Sequence, residues 1–241
     1  MDDAILRGRV AIVTGASRGI GRATALALSA AGVRVIATAR TVDALHEVAA
    51  AGRGGEIVAV PADVSRADDV RTLVGRARDA FGSIDILINN AGIGIYAPVE
   101  ELKEADWDAM MAVNLKSVFL CSQAVLPVMR AQKRGHIVNI SSIRGWQASP
   151  RSTAYATTKF GLMGFSQALA QEVIGDGIRV SVVSPGGTRT HFGGRPPEQK
   201  PPELLSPEEV ARSVLYTLTA PAGTVVTQVV VLPATMVGSG P

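Results

Sequence analysis

Short apolar runs rich in Val and Ile alternate along this chain with longer stretches whose apolar residues recur every three or four positions. The first pattern suits strands buried on both faces, and the second suits helices that cover them. Strands are predicted at Val10–Thr14, Val33–Thr38, Glu56–Val60, Asp85–Asn89, His136–Ser141, Ile178–Ser184 and Thr224–Leu232. Helices are predicted at Ile20–Ala31, Thr41–Ala51, Arg66–Phe81, within Ala105–Gln132, at Thr153–Ile174 and at Pro207–Thr219. Pro127 falls inside the fourth of these, which must tolerate it or bend. Strands joined by helices through right-handed crossovers give an α/β fold, a doubly wound seven-stranded parallel sheet with helices on both faces. No linker or repeat divides the chain, so residues 1–241 read as one domain. Gly186–Ser206, rich in Gly and Pro, reads as a surface loop or lid over the site.

Composition narrows function more than fold. With 241 residues, 47% of them apolar and 19% charged, the chain can bury one sizeable core. Mean hydropathy is +0.24, yet no unbroken apolar run approaches the ~18 residues of a membrane span. The first residues have no basic start and no long apolar stretch, so no secretory leader is expected. Basic residues outnumber acidic ones by 24 to 21 without clustering, and aromatics are only 4%; a nucleic-acid groove is not expected. Cys121 is the single cysteine, which excludes an intramolecular disulfide. His46, His136 and His191 have no ligand spacing, so no metal is expected. A cytoplasmic protein acting on a small molecule is the reading these features favour.

Two patterns carry chemistry. The first strand runs into Thr14-Gly15-Ala16-Ser17-Arg18-Gly19-Ile20-Gly21 and then a helix. Glycines allow backbone to approach a pyrophosphate closely, and the helix start supplies amide donors. The spacing is unusual, and chance alone gives roughly 0.3 such patterns in a chain this rich in glycine. Its place after the first strand is what raises it above a plain tight turn. The second pattern is Tyr155 and Lys159, four apart and therefore on one helix face, with Ser142 just past the fifth strand. Ligands of open α/β sheets bind outside the carboxyl ends of the strands, where Ser142, Asn89, Asn90 and Ser184 all fall. A tyrosine with a pKa near ~10 is a poor base at neutral pH, and a nearby ammonium lowers that value. Ser142 can hold a carbonyl oxygen beside Tyr155. The plain alternative is an exposed Tyr/Lys helix face. No His/Asp pair supports a hydrolase role for Ser142.

With these motifs in order, the sequence resembles the short-chain dehydrogenase/reductase family over about residues 8–232. The match rests on the Thr14–Gly21 turn, Asp63-Val64, Asn89-Asn90-Ala91-Gly92, Asn114, Ser142, Tyr155 with Lys159, and Pro185-Gly186. The resemblance implies that Tyr155 is the acid in reduction and the base in oxidation. It implies that Lys159 lowers the tyrosine pKa and binds the nicotinamide ribose, that Ser142 orients the carbonyl, and that Asn114 holds a water of the proton relay. Gly15, Ser17, Gly19, Ile20 and Gly21 would cradle the pyrophosphate, and Arg18 in the same turn would also bind the cofactor. Asp63 and Val64 would meet the adenine, and Asn90, Ala91 and Gly92 would border its ribose. Pro185, Gly186, Thr188 and Thr190 would line the nicotinamide. Asp63 read alone is equally a turn residue.

The cofactor expected is NADP(H). The position that normally carries an acid for the adenine-ribose 2′-hydroxyl is Ala39. Arg40 follows it and Arg18 lies in the turn; in relatives, arginines at these places grip the 2′-phosphate. The expected substrate is a small carbonyl or hydroxy compound. Arg144, Trp146, Arg151, Arg189, His191, Phe192 and Arg195 lie in the two segments expected to flank the pocket mouth, which suits an apolar body with an acidic group. Solvated surface arginines are the plain alternative. The last strand runs into Val229–Thr235 without the Asp-Gly-Gly of many acyl-carrier-protein reductases, yet 3-oxoacyl-thioester reduction stays open as an alternative. So does a non-catalytic nucleotide-binding regulator on the same fold. The long helices near Met110–Met129 and Thr153–Ile174, with the last strand, are expected to build a symmetric homo-oligomer, a tetramer by family resemblance.

Overall fold

The computed structural model describes residues 3–221 and 223–237. Among them, seven strands form one parallel sheet: β1 Val10–Thr14, β2 Arg34–Thr38, β3 Ile57–Ala59, β4 Ile86–Asn89, β5 Gly135–Ile140, β6 Ile178–Pro185 and β7 Gln228–Val231. Their order is β3-β2-β1-β4-β5-β6-β7. The order reverses between β1 and β4, and that reversal opens a crevice at the carboxyl edge of an open α/β sheet. The connecting helices are α1 Gly19–Ala30, α2 Val42–Ala50, α3 Ala67–Phe81, α4 Glu104–Met111, α5 Ser117–Gln132, α6 Thr153–Val173 and α7 Pro207–Leu218.

Alternation along β1 builds both layers. Ala11 and Val13 face a core of Leu28 from α1, Leu45 and Val48 from α2, and Val210 and Val214 from α7. Ile12 faces the opposite core, with Leu73 from α3, Val125 and Met129 from α5, and Leu169 and Val173 from α6. A strand buried on both faces must be apolar throughout, which is why β1 reads Val-Ala-Ile-Val.

The long fourth helix is α4 and α5 joined by a π turn at Ala112–Lys116. Pro127 stays inside α5, on its exposed side with Gln123; the Gln123 carbonyl that loses a partner there is therefore open to water. β7, Gln228–Val231, is shorter than Thr224–Leu232. The joined helix, 104–132, has an 18-residue stretch of mean hydropathy 1.4, apolar and long enough for a bilayer by those measures alone. Its α5 part instead turns Leu120, Val125 and Met129 into the core between sheet and neighbouring helices. That burial explains its hydropathy.

Candidate active site

β1 ends at Thr14, whose hydroxyl ties two strands together. It donates to the Ile88 carbonyl at 3.3 Å and accepts the N–H groups of Asn90 and Ala91 at 2.9 and 3.0 Å. Asn90 returns the contact through Nδ2, which donates to the carbonyls of Thr14 and Gly15 at 2.9 and 3.2 Å. The two chains come too close for side chains. Gly15 has φ +64°, and a Cβ there would lie 2.9 Å from the Ala91 Cα; a Cβ on Gly21 would fall on the Gly15 carbonyl. Arg18 at the N-cap of α1 makes no capping bond, and no acid occupies the first turn. The free amides of α1 therefore open onto a surface kept bare by glycine, which fits a pyrophosphate. Ser17 and Ile20 border it half-buried, and Gly92 continues the Asn90-Ala91 segment.

At the next strand ends, the Ala39 carbonyl accepts the Ala62 N–H at 3.1 Å, so the β2 and β3 exits lie side by side. Arg18 and Arg40 are exposed. The Arg40 charge reaches Asp63, whose carboxylate is held below its ordinary range chiefly by the Ser65 hydroxyl. Asp63 Oδ1 accepts from Ser65 Oγ at 2.6 Å and from Ser65 N at 3.0 Å. Asp63 is thus a turn residue. Val64 packs into the core beside Val60, Ala62 and Val70, with 7% of it exposed.

Past β5, Ser142 opens a short turn, Ile143–Gly145, and its Oγ accepts the Arg144 N–H at 3.1 Å. Tyr155 and Lys159 come from the first turns of α6, both buried. Lys159 Nζ donates to the Ile140 carbonyl at 2.9 Å and lies 5.7 Å from the centre of the Tyr155 ring. Burial pushes the lysine down to about 8. The expected lowering of Tyr155 by Lys159 is not what the surroundings produce. Burial first, and then Tyr96, push the tyrosine above its ordinary value, against the opposing hydrogen bond of Ser142 and the charge of Arg144. Burial in a low-dielectric surrounding disfavours the charged phenolate. Tyr155 therefore holds its proton at neutral pH, the state a general acid needs.

Asn114 sits in the π turn with its amide fully engaged. Oδ1 accepts from Ile93 N at 2.8 Å, while Nδ2 donates to the Ile93 carbonyl at 2.9 Å and to Thr158 Oγ1 at 3.2 Å. Both amide hydrogens are used, so this side chain has none left to give a relay water. It pins the Asn90–Ile93 segment to the helix that carries Tyr155. A buried ladder missed in the sequence continues this bracing: Asn89 Nδ2 donates to Asn139 Oδ1 at 2.9 Å, and Asn139 Nδ2 donates to Ser166 Oγ at 2.8 Å.

The 186–206 loop closes the site from above. It is pinned at its root, where Leu205 N donates to the Gly187 carbonyl at 3.0 Å and Arg189 N to the Leu205 carbonyl at 2.8 Å. Thr190 is buried, and a Cβ on Gly19 would stand 3.1 Å from its methyl, so the loop reaches the glycine turn. Phe192 then packs tilted on Tyr155, 5.5 Å between ring centres, and Tyr96 packs tilted on it at 5.7 Å. Tyr96 escaped sequence reasoning because no spacing marks it. Pro185, Gly186 and Thr188 form the loop's base, with Thr188 Oγ1 donating to the Gly186 carbonyl at 3.1 Å. Beside them the buried Ser141 and Ser184 hydroxyls have no partner. Such orphaned donors at strand ends fit a bound polar group.

The arginines expected at the mouth separate. Arg144 alone acts on Tyr155 and Tyr96. Arg189 instead acts on Glu209, the carboxylate that caps α7, because the pinned loop root holds it there. Arg195 lies by Lys200, whose Nζ donates to the Phe192 carbonyl at 2.8 Å. Trp146, Arg151 and His191 are exposed.

Residues 9–200 match the short chain dehydrogenase family. A 3-oxoacyl-[acyl-carrier-protein] reductase of Synechocystis is 40% identical over 231 residues, covering 92% of this chain and 94% of that protein. An uncharacterized oxidoreductase of Staphylococcus haemolyticus is 37% identical, covering 95% and 98%. Among solved structures, an alcohol dehydrogenase from the archaeon Thermococcus sibiricus, complexed with 5-hydroxy-NADP, superposes with TM-score 0.88 at 32% identity over 94% of this chain and 97% of that one. A metagenomic short-chain oxidoreductase in complex with NADP gives 0.82 at 38% identity, over 95% and 98%. A glycine-lined crevice at the strand reversal, with a serine, a tyrosine and a lysine gathered at the end of β5, thus belongs to a chain that is a member of the short-chain dehydrogenase/reductase family.

Proposed function

We propose that this chain is an NADP(H)-dependent oxidoreductase that interconverts a small carbonyl compound and its alcohol. The observation that carries the reading is the juxtaposition of Ser142, Tyr155 and Lys159 with the glycine turn at one sheet edge. The bound nicotinamide supplies or accepts the hydride. The amides of Gly19–Gly21 and the cradle of Gly15 would hold the pyrophosphate, and Arg18 and Arg40 would hold the 2′-phosphate. Ser142 donates to the substrate oxygen and keeps it beside the Tyr155 hydroxyl. Tyr155 gives that oxygen its proton in reduction, and the resulting phenolate sits near Lys159, whose charge opposes the burial penalty. In oxidation the proton returns to Tyr155 from the alcohol. Tyr96 and Phe192 flank the phenol with apolar surface and exclude water, which favours a compact apolar substrate; Arg144 is the one cation placed to meet an acidic group on it.

Following cofactor absorbance across aldehydes, ketones and hydroxy acids tests this. Turnover with some small carbonyl in the presence of NADPH is the expected result, and no turnover across the set would leave the non-catalytic regulator standing. The likeness to the Synechocystis protein supports a second reading, reduction of a 3-oxoacyl thioester. Faster turnover of acetoacetyl thioesters than of any free carbonyl would favour it. Phe119 on α5 and Phe160 on α6 are each 46% exposed, and Tyr216 on α7 and Val230 on β7 are about half exposed. These faces support assembly about two-fold axes into a homotetramer. Light scattering at the mass of a single chain would refute that.

A further inference from the structure

The opposite edge of the sheet holds a cavity of about 540 Å³. That volume lies in the range of small-molecule sites. It opens at the amino ends of β1, β4, β5 and β6, and β5 alone separates it from Ser142 by about 20 Å at ~3.3 Å per residue. Nothing in the oxidoreductase reading uses it.

Three guanidinium groups line it, from Arg9, Arg134 and Arg179, against the single carboxylate of Asp85. Asp85 is buried and already committed. Its Oδ1 accepts from Arg134 Nε at 2.7 Å and from Arg9 Nη1 at 3.2 Å, and its Oδ2 accepts the Val10 N–H at 3.0 Å. Arg179 is left without a carboxylate among the described residues. Its Nη1 makes only long contacts, at 3.4 and 3.3 Å, to the carbonyls of Ala220 and Thr224. Burial and the like charge of Arg9 push its pKa down. The remaining titratable wall, His136, is held neutral by burial and by Arg179 itself. A half-buried cation pressed towards another cation, with no anion left to meet it among the described residues, is an unfavourable arrangement unless a ligand supplies the charge. The rest of the wall is apolar: Leu6, Ile86, Ile174, Leu218 and Val225.

We propose that this cavity binds a small organic acid, its carboxylate held by Arg179 with Arg9 and its apolar body lying against the aliphatic wall. The apolar wall decides the class, because inorganic phosphate would meet the cations and leave the wall uncovered.

Calorimetric titration of the NADP⁺-saturated full-length protein with decanoate, and separately with inorganic phosphate, tests it. One decanoate per chain is expected to bind, with phosphate at least tenfold weaker. Arg179→Gln, which keeps a donor for the Ala220 carbonyl, should weaken decanoate tenfold or more. Val225→Glu, at the half-buried rim, should abolish binding by adding an anion. Phe192→Ala, at the oxidoreductase site, should change neither result. NADPH binding by Arg179→Gln and Val225→Glu should equal that of the wild type, as it must in folded variants whose cofactor site is remote. No decanoate binding to the wild type at millimolar concentration would overturn the proposal. So would decanoate affinity that survives both cavity variants or falls only with Phe192→Ala, and so would phosphate binding as tightly as decanoate.

Discussion

Replacing Ala39 by Asp and Arg40 by Ala should reverse the preference between the two nicotinamide dinucleotides. Ala39 lies at the exit of β2, fixed by the bond from Ala62 N to its carbonyl, and its methyl offers a 2′-hydroxyl no acceptor. Arg40 is exposed beside it, and its charge already acts on Asp63 across the β2–β3 exits. A guanidinium there donates in a fork that matches phosphate oxygens. A charge-assisted bond contributes about 1.5–3 kcal/mol, or roughly ten- to a hundredfold in affinity. The exposure of Arg40 puts the wild-type contribution near the lower end, about tenfold, since water screens an exposed ion pair. The carboxylate introduced by Ala39→Asp would add repulsion toward the 2′-phosphate and an acceptor for the 2′-hydroxyl. It would also stand near Asp63, so the adenine side would carry two carboxylates and lose one guanidinium. The reversal should therefore come mainly from weaker NADPH. The assay is kcat/KM for both cofactors on both proteins, with one good carbonyl substrate. A wild type that favours NADH, or a double variant that keeps favouring NADPH, would show that the 2′-phosphate is held somewhere other than Arg18 and Arg40.

Tyr155→Phe should lower kcat by about 10²–10⁴, the usual contribution of a positioned acid, while the melting temperature holds because a Phe ring packs against Tyr96 and Phe192 as the Tyr ring does; near-normal kcat would remove Tyr155 from the mechanism. Burial pushes His136 down to about 3, so the unfolded chain binds a proton there that the folded chain refuses. Its contribution to stability is full above pH ~6.5 and is lost as pH falls from there toward 3, at up to ~1.4 kcal/mol per pH unit. Urea unfolding at pH 4.5, 5.5 and 7 should show that slope, and His136→Gln should flatten it. Cys121 is buried with its thiol pushed up to about 12, so a disulfide reagent at pH 8 should label it only after denaturant is added; rapid native labelling would place it at the surface.

The pattern of apolar runs was enough to read the layers, because a strand such as β1 must be apolar on both sides when helices cover both. The glycine turn was legible for a similar reason, since only glycine permits the approach of Gly15 to Ala91. Tertiary contacts were not legible. Arg189 and Arg144 look alike in sequence, yet the pinned loop root holds one by α7 while the turn after Ser142 leaves the other by the phenol. The spacing of Asn114 does not tell that its amide hydrogens go to Ile93 and Thr158. The π turn that places it and the ring of Tyr96 on Tyr155 have no local signature. The cavity at the far edge is assembled from residues more than 200 positions apart, from Ile5 to Val225, so no window of sequence contains it.

The pinned root of the 186–206 loop separates what this molecule does from what it does it to. The hydrogen bonds from Leu205 N to the Gly187 carbonyl and from Arg189 N to the Leu205 carbonyl close the loop on itself, and the Ser206–Glu209 capping box starts α7 independently just beyond. Phe192 and Thr190, the residues that reach across the crevice, lie wholly within that closure. Ser142, in the turn after β5, and Tyr155 and Lys159, on α6, lie outside it. Selection, or a designer, can therefore exchange the stretch between Gly187 and Leu205 as a cassette. A new cassette would change the shape over Tyr155 while leaving the sheet, the helix cap and the acid untouched, so diversification of substrate need not await compensating changes in the core.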